Sequence, residues 1–132
     1  MTSINNWFKI EHDICNNIII TFNDATSDDD FDYYLEYYRN MYNSKKIVRV
    51  VFDCRNIINI SMKNIYKKII LMKIMKPIHE TYLDKFYIII SSQYMKSVIN
   101  FAFSIVKPVS EYEILDILPF SRDPLLFTHV YY

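Results

Sequence analysis

The stretch VVFDCRNIINISMKNIYKK, residues 50–68, has the pattern of a buried strand, a turn and a basic helix in succession. Residues 47–54 are rich in β-branched side chains and almost continuously apolar, as expected of a strand covered on both faces. From residue 62 to 76, apolar side chains recur at helical spacing. The other face of this helix is expected to be solvated and carries a row of lysines, Lys63, Lys67, Lys68, Lys73 and Lys76. A strand that leads into a helix in this way predicts an α/β domain.

The chain continues this alternation on both sides of the junction. Hydrophobic periodicity and turn signals predict each element in order. They are strands at 7–12 and 18–22, a helix capped by Thr26 or Ser27, the strand at 47–54, a helix at 62–76, a strand at 86–91, a helix at 94–106, a strand at 112–115, and a terminal helix or irregular cap at 123–131. The fold class is therefore α/β, with a single domain over residues 1–132, a mixed and mostly parallel sheet of four or five strands, and about four helices.

Composition excludes several functions. The 132 residues include no Gly, so the Gly-rich phosphate loops of P-loop proteins, dinucleotide-binding proteins and kinases are absent. Fifteen basic and fifteen acidic residues cancel, and no nucleic acid partner is expected, since a duplex-binding protein needs a basic footprint. The abundance of Ile, Asn, Lys and Tyr points to an A/T-rich genome, such as that of a large DNA virus, a protist or a low-GC bacterium.

Location follows from the cysteines and the apolar segments. Cys15 and Cys54 lie in apolar strand contexts, which predicts two buried, reduced thiols. Residues 1–13 lack the pattern of a signal peptide, and the longest apolar stretch, VINFAFSIV, is too short to be a transmembrane segment. A cytoplasmic protein is expected.

The element order and the stretch at 50–68 together resemble the STAS domain (sulfate transporter and anti-sigma factor antagonist). The resemblance rests on the strand VVFD, the Asn56-Ile57 turn, and Ile60-Ser61 before the helix. In the antagonist proteins, phosphorylation of a serine at the start of this helix disrupts docking to a partner kinase. With Asp53 placed on the family's strand aspartate, Met62 and Lys63 occupy the positions of its two serines. The resemblance therefore implies the fold without the phosphoacceptor motif, and Ser61 is expected to be a helix N-cap. The alternative is that Ser61 accepts the phosphate in place of the lost serines, since a helix N-terminus favours that charge.

The sequence indicates a protein that is not an enzyme and needs no cofactor. His12, His79 and His129 are far apart and belong to no motif, and a solvent-facing position is expected for His79. The acidic run at 28–32 matches no calcium loop and is expected to stabilise the start of a helix.

The best expectation is a protein-protein interaction or regulatory module that self-associates as a homodimer. Its expected binding surface is the polar part of the junction and the following helix, namely Arg55, Asn56, Ser61, Lys63, Asn64 and Lys67. Three tyrosines of the first helix outside its core stripe, Tyr33, Tyr37 and Tyr42, are a possible dimer surface. An acidic first helix and a basic second helix could pair between two copies.

The alternative is a domain that binds a small apolar ligand or a lipid. The helices at 62–76 and 94–106 carry more apolar side chains than one buried face needs. A pocket beneath these two helices would account for that excess.

Overall fold

The structure, a computed structural model, describes residues 7–23 and 27–119 together with the backbone of residues 127–131. The elements, in chain order, are β1 (Phe8–Asp13), β2 (Asn17–Phe22), α1 (Asp28–Asn40) continued by a 3₁₀ turn (Met41–Ser44), β3 (Val48–Asp53), α2 (Met62–Ile74), α3 (Lys76–Tyr82), β4 (Leu83–Ile89), α4 (Gln93–Ile105), β5 (Glu111–Leu115) and β6 (Phe127–Tyr131).

The strands form one mixed sheet in the order β5-β4-β3-β2-β1-β6. The three pairs from β2 to β5 are parallel, whereas β1 is antiparallel to both of its neighbours. The predicted α/β class with a mostly parallel sheet is confirmed. The sheet has one more strand than expected, because residues 127–131 pair with β1 as a strand where the sequence predicted a terminal helix or an irregular cap. The remaining residues of that prediction lie outside the described ranges.

The helix predicted at 62–76 is shorter, and a separate helix α3 follows it. The backbone of Met75 leaves the helical conformation at ψ 5°, and Pro77 lies in the first turn of α3. Proline is well placed there, since its ring presets the backbone and the missing N–H would have no partner in the first turn. This short helix carries His79 into the interior, so the expected solvent-facing position of His79 is wrong.

The four α-helices of the described residues form one layer on one face of the sheet. Strands that follow one another in both sequence and sheet order, joined by right-handed connections, place their helices on the same side. The main core accordingly joins the aromatic side of α1 with Met75, Met95 and the strand residues that face the helices, such as Ile20 and Val50. The side chains that alternate with these along the strands point to the other face of the sheet. There Ile19, Val51 and Ile89 form a second buried cluster.

Serine side chains begin three of the helices. The Oγ atoms of Ser27, Ser61 and Ser92 each accept a hydrogen bond from the backbone N–H three residues ahead, at 3.1–3.2 Å. Each bond satisfies one of the N–H groups that a helix start leaves without an internal partner. The predicted cap role of Ser61 is thus observed, as is the acidic first turn of α1 at Asp28, Asp29 and Asp30.

Two described residues take the left-handed backbone conformation that Gly would normally supply. Asn16 has φ 62° in the β1–β2 turn, where its side chain type tolerates this conformation well. Lys45 has φ 56° after the 3₁₀ turn and has no such advantage. The left-handed conformation at Lys45 therefore lowers the stability of the fold, because a residue with a Cβ stands where Gly would fit without strain.

The two thiols differ in exposure. Cys54, at the end of β3, is buried, whereas Cys15 lies in the β1–β2 turn and is exposed. The predicted burial of Cys15 is therefore wrong, because its apolar neighbours belong to a turn and not to the strand itself.

We predict that Lys45→Gly stabilises the protein. Removing Cβ relieves a left-handed penalty of about 1–2 kcal/mol, partly offset by the greater flexibility of Gly when unfolded, so the free energy of unfolding should rise by about 0.5–1 kcal/mol. Urea denaturation measures it. Lys46→Gly is the matched control, because Lys46 is also exposed but has a negative φ, and this variant should not gain stability. Equal changes in the two variants would contradict the argument.

Candidate functional site

The polar residues at the start of the β3–α2 junction hold the turn together. Both carboxylate oxygens of Asp53 accept from the Arg55 guanidinium, at 2.9 Å from Nε and 2.7 Å from Nη2. The Arg55 backbone N–H also donates to Asp53, at 3.3 Å. This two-point pair fixes the chain as it leaves the strand. Arg55 is thus occupied within the junction, and Asn56 is exposed beside it.

The basic residues of α2 are paired with the acidic residues of α1. Lys63 Nζ lies 3.2 Å from Asp28, and Lys67 Nζ lies 2.6 Å from Asp32. Asn64 is buried, and its amide donates to Asp28 at 3.2 Å. Asn64 is therefore not a surface residue as expected, since it packs between the two helices. The acidic first helix and the basic second helix were expected to pair between two copies of the chain. In the structure, their charged residues pair with each other within one chain.

The three tyrosines expected on a dimer surface have different environments. Tyr33 is exposed and Tyr37 is half-buried, and the rings of both contact Phe8. Tyr42 is only 4% exposed and packs in the main core, so its proposed place on a surface is wrong. The chain turns into a 3₁₀ conformation at Met41, and this turn directs Tyr42 inward beside Tyr38.

A cavity of about 140 Å³ lies between the helix layer and the sheet. Its walls come from α1, β3, α2, β4 and α4, and from the segment after α4. The junction also contributes, because Ile57 and Ile60 line the cavity. The α2 and α4 residues that line it are Ile65, Lys68, Met72, Met95, Val98, Ile99, Ala102 and Phe103. The cavity therefore lies beneath the two helices that the sequence singled out for the alternative function.

Lys68 brings an amine to the wall of this apolar cavity. Its Nζ donates a hydrogen bond of 2.8 Å to the Tyr34 hydroxyl and lies 3.9 Å from the centre of the Tyr38 ring. The Phe52 ring is 5.1 Å away. Aromatic faces attract a cation, but they replace only part of the water that an ammonium loses on burial.

A second polar group lies next to Lys68. The Tyr38 hydroxyl is 2.8 Å from the Tyr42 hydroxyl and 2.9 Å from His79 Nε2. Tyr38 therefore links α1 to α3 through its hydroxyl and supports Lys68 through its ring. These contacts make a small polar cluster inside a core that is otherwise apolar.

Burial shifts the titration of this cluster toward neutral forms. Desolvation lowers the pKa of Lys68 to about 7, and it lowers the pKa of His79 to about 4 with the help of the nearby Lys68 charge. Desolvation also raises the pKa of Cys54 to about 12 and the pKa of Tyr38 well above its ordinary value. Lys68 is thus the member of the cluster that changes charge near neutral pH.

Sequence reasoning missed Lys68 because it counted Lys68 in the solvated lysine row. A signal was present, since Lys68 is three residues after Ile65 and four before Met72, both of which line the cavity. Residues at these spacings share one face of a helix. Lys67, one position earlier, faces α1 and the solvent instead.

Two other types of site, a metal centre and a membrane-spanning helix, do not occur among the described residues. No group of three or more His, Cys, Asp or Glu side chains within these ranges is placed to hold a metal ion. In the same part of the chain, no helix is long and apolar enough to cross a bilayer.

We predict a pH-dependent stability difference between the wild type and Lys68→Met. The unfolded chain binds a proton on Lys68 up to about pH 10.4, whereas the folded chain releases it near pH 7. The free energy of unfolding of the wild type should therefore rise, relative to the variant, by about 1 kcal/mol per pH unit between pH 7 and about pH 9. Urea denaturation at several pH values measures this difference. Lys67→Met is the control and should leave the wild-type slope unchanged; a parallel pair of curves for Lys68→Met would refute the shift.

Comparison with known proteins gives a fold likeness. No protein-family model matches the sequence, and no curated protein matches it either. Among solved structures, the chain is similar to the crystal structure of an uncharacterised protein from the DUF3478 family with a SpoIIAA-like fold, from Shewanella loihica PV-4. The TM-score is 0.58 at 11% sequence identity, over 89% of this chain and 92% of that one. The protein therefore has a SpoIIAA-like fold, which is the STAS-like fold that residues 50–68 predicted.

Proposed function

We propose that this protein is a binding domain for a small apolar ligand, which occupies the cavity between α2, α4 and the sheet. The observation that carries the proposal is the cavity itself, which is lined almost wholly by apolar and aromatic side chains. Binding sites for small molecules are typically concave and apolar, with a few polar groups that fix orientation. Lys68, His79 and Ser110 are such groups in this wall.

The volume sets the size of the ligand. An apolar cavity of about 150 Å³ holds a molecule such as benzene, and the cavity here is close to that volume. In cores truncated by substitution, unfilled volume lowers the free energy of unfolding by about 24 cal/mol per Å³, because packing contacts are lost. A ligand of six to eight heavy atoms would recover part of this free energy.

We predict that 1-hexanol binds in this cavity. Met72 and Met95 line the cavity, whereas Met62 is 53% exposed on the outside of α2. In methyl NMR of a methionine-labelled sample, addition of 1-hexanol should shift the Met72 and Met95 signals and leave the Met62 signal in place. Shifts of all three signals, or of none, would count against the cavity as a binding site.

The Ala102→Leu variant should abolish this binding, because its three additional carbon atoms enter the cavity. The free energy of unfolding should stay the same or rise by about 1 kcal/mol, since the substitution fills empty space. Asn100→Leu on the outer side of α4 is the matched control and should bind 1-hexanol as the wild type does. Retained binding in Ala102→Leu would place the ligand elsewhere.

A second function, the self-associating interaction module, is favoured by exposed apolar side chains on adjacent faces of α2 and α4. Ile70 is 55% exposed, Ile74 66% and Ile105 40%, and the exposed rings of Tyr66 and Phe101 contact each other at 5.8 Å. A continuous apolar patch of this kind commonly marks a contact with another protein. A second copy of the chain is the partner that the proposal names.

For this second function, we predict a dimer at tens of micromolar protein that Ile70→Glu converts to a monomer. A buried carboxylate without a partner would oppose association at the patch. Analytical ultracentrifugation measures the mass. Ile117→Glu is the control, since Ile117 is 67% exposed but lies on neither α2 nor α4. A monomeric wild type over this concentration range removes the self-association proposal and leaves ligand binding unaffected.

A further inference from the structure

Lys68 gives the cavity a single formal charge. Among the described residues that line it, Lys68 is the one Lys, Arg, Asp or Glu, and the remainder are apolar or neutral polar residues. The Lys68 amine makes one hydrogen bond in this wall, to Tyr34, and its other contacts there are with aromatic rings. An ammonium can donate three hydrogen bonds, so this environment satisfies it incompletely.

The acidic groups near this region are engaged in other pairs. Asp53, next to Cys54 on β3, is held by Arg55, and Asp28 and Asp32 of α1 are held by Lys63 and Lys67. These pairs lie at the junction and on the outer side of the helices. Among the described residues, they leave the Lys68 ammonium at an apolar wall without a carboxylate partner.

We propose that the ligand of this cavity is a small amphiphile whose carboxylate pairs with the Lys68 ammonium while its apolar chain fills the space beneath α2 and α4. A carboxylate accepts the N–H bonds that the aromatic rings cannot, and a charge-assisted bond in an apolar site is strong. This proposal rests on the proposed ligand-binding function and names the chemical class of the ligand.

The other titratable groups of the site do not change their protonation state between pH 6 and pH 9. Tyr34 and Tyr38 on α1 stay protonated, since burial raises the pKa of both well above the usual value. Burial also raises the pKa of Cys54, directly after β3, to about 12. His79 on α3 stays neutral, because its pKa is lowered to about 4. Between pH 6 and pH 9, the change of charge in the empty cavity is therefore that of Lys68.

The experiment compares two probes that differ only in the head group, hexanoate and 1-hexanol. Both are titrated into the wild type, Lys68→Met and Lys67→Met at pH 6 and pH 9, with methyl NMR or calorimetry as the readout. Methionine replaces the apolar stem of lysine with an unbranched side chain one heavy atom shorter, so Lys68→Met removes the charge with little change in the wall. Binding of 1-hexanol by the variant shows that it is folded and that its cavity is open.

At pH 6 we expect hexanoate to bind the wild type at least tenfold more tightly than 1-hexanol does. Hexanoate affinity should fall by about 100-fold at pH 9, because only about one Lys68 in a hundred is still protonated there, while 1-hexanol affinity stays nearly constant. Lys68→Met should lose the preference for hexanoate and retain 1-hexanol binding. Lys67→Met should behave as the wild type.

Three results would overturn the proposal, and they separate it from the proposed function. If 1-hexanol binds and hexanoate binds no more tightly, the cavity takes neutral ligands and the carboxylate assignment fails alone. If Lys68→Met keeps the preference for hexanoate, another group holds the carboxylate. If neither probe binds the wild type, ligand binding at this site fails, and the carboxylate assignment fails with it.

Discussion

The packing of every described helix on one face of the sheet is the constraint on which the rest of this structure depends. Because β2, β3, β4 and β5 are adjacent in the sheet and parallel, the helices between them form one layer. That layer and the sheet enclose a single main core. The cavity, the buried amine of Lys68 and the aromatic side of α1 all lie in this core, so a ligand there would contact most elements of the fold at once.

The lysines of α2 contact α1 in two ways, on the solvated side of the helices and on the side that faces the core. On the outer side, Lys63 and Lys67 join α2 to α1 through ion pairs that water and salt screen, so each contributes little to stability. On the inner side, Lys68 reaches the same helix through Tyr34 and Tyr38, and its amine lies against aromatic rings. The adjacent lysines Lys67 and Lys68 therefore have different environments, because one residue step rotates the side chain by about 100° around the helix axis.

Much of the fold was predictable because local patterns agree with the tertiary structure. The β-branched run before Cys54 and the caps at Ser27 and Ser61 mark their elements correctly. The strand at 127–131 was missed because its pairing with β1 is a contact between distant parts of the chain. The site was harder to predict, because the sequence shows where polar residues occur but not whether their side chains point to the core or to the solvent. Asn64 and Tyr42 were assigned to surfaces but are buried, and Lys68 was counted with solvated lysines but reaches the core.

The contrast between the two thiols gives the native chain one selective attachment point. Thiol-reactive probes attack the thiolate, and Cys54 resists ionisation because it is buried, with a pKa of about 12. Cys15 is exposed in the β1–β2 turn and is not among the residues that line the cavity. A maleimide-linked fluorophore or spin label would therefore attach at the tip of the hairpin. Tethering or distance measurements could then be made on the unmodified sequence, with the ligand site left intact.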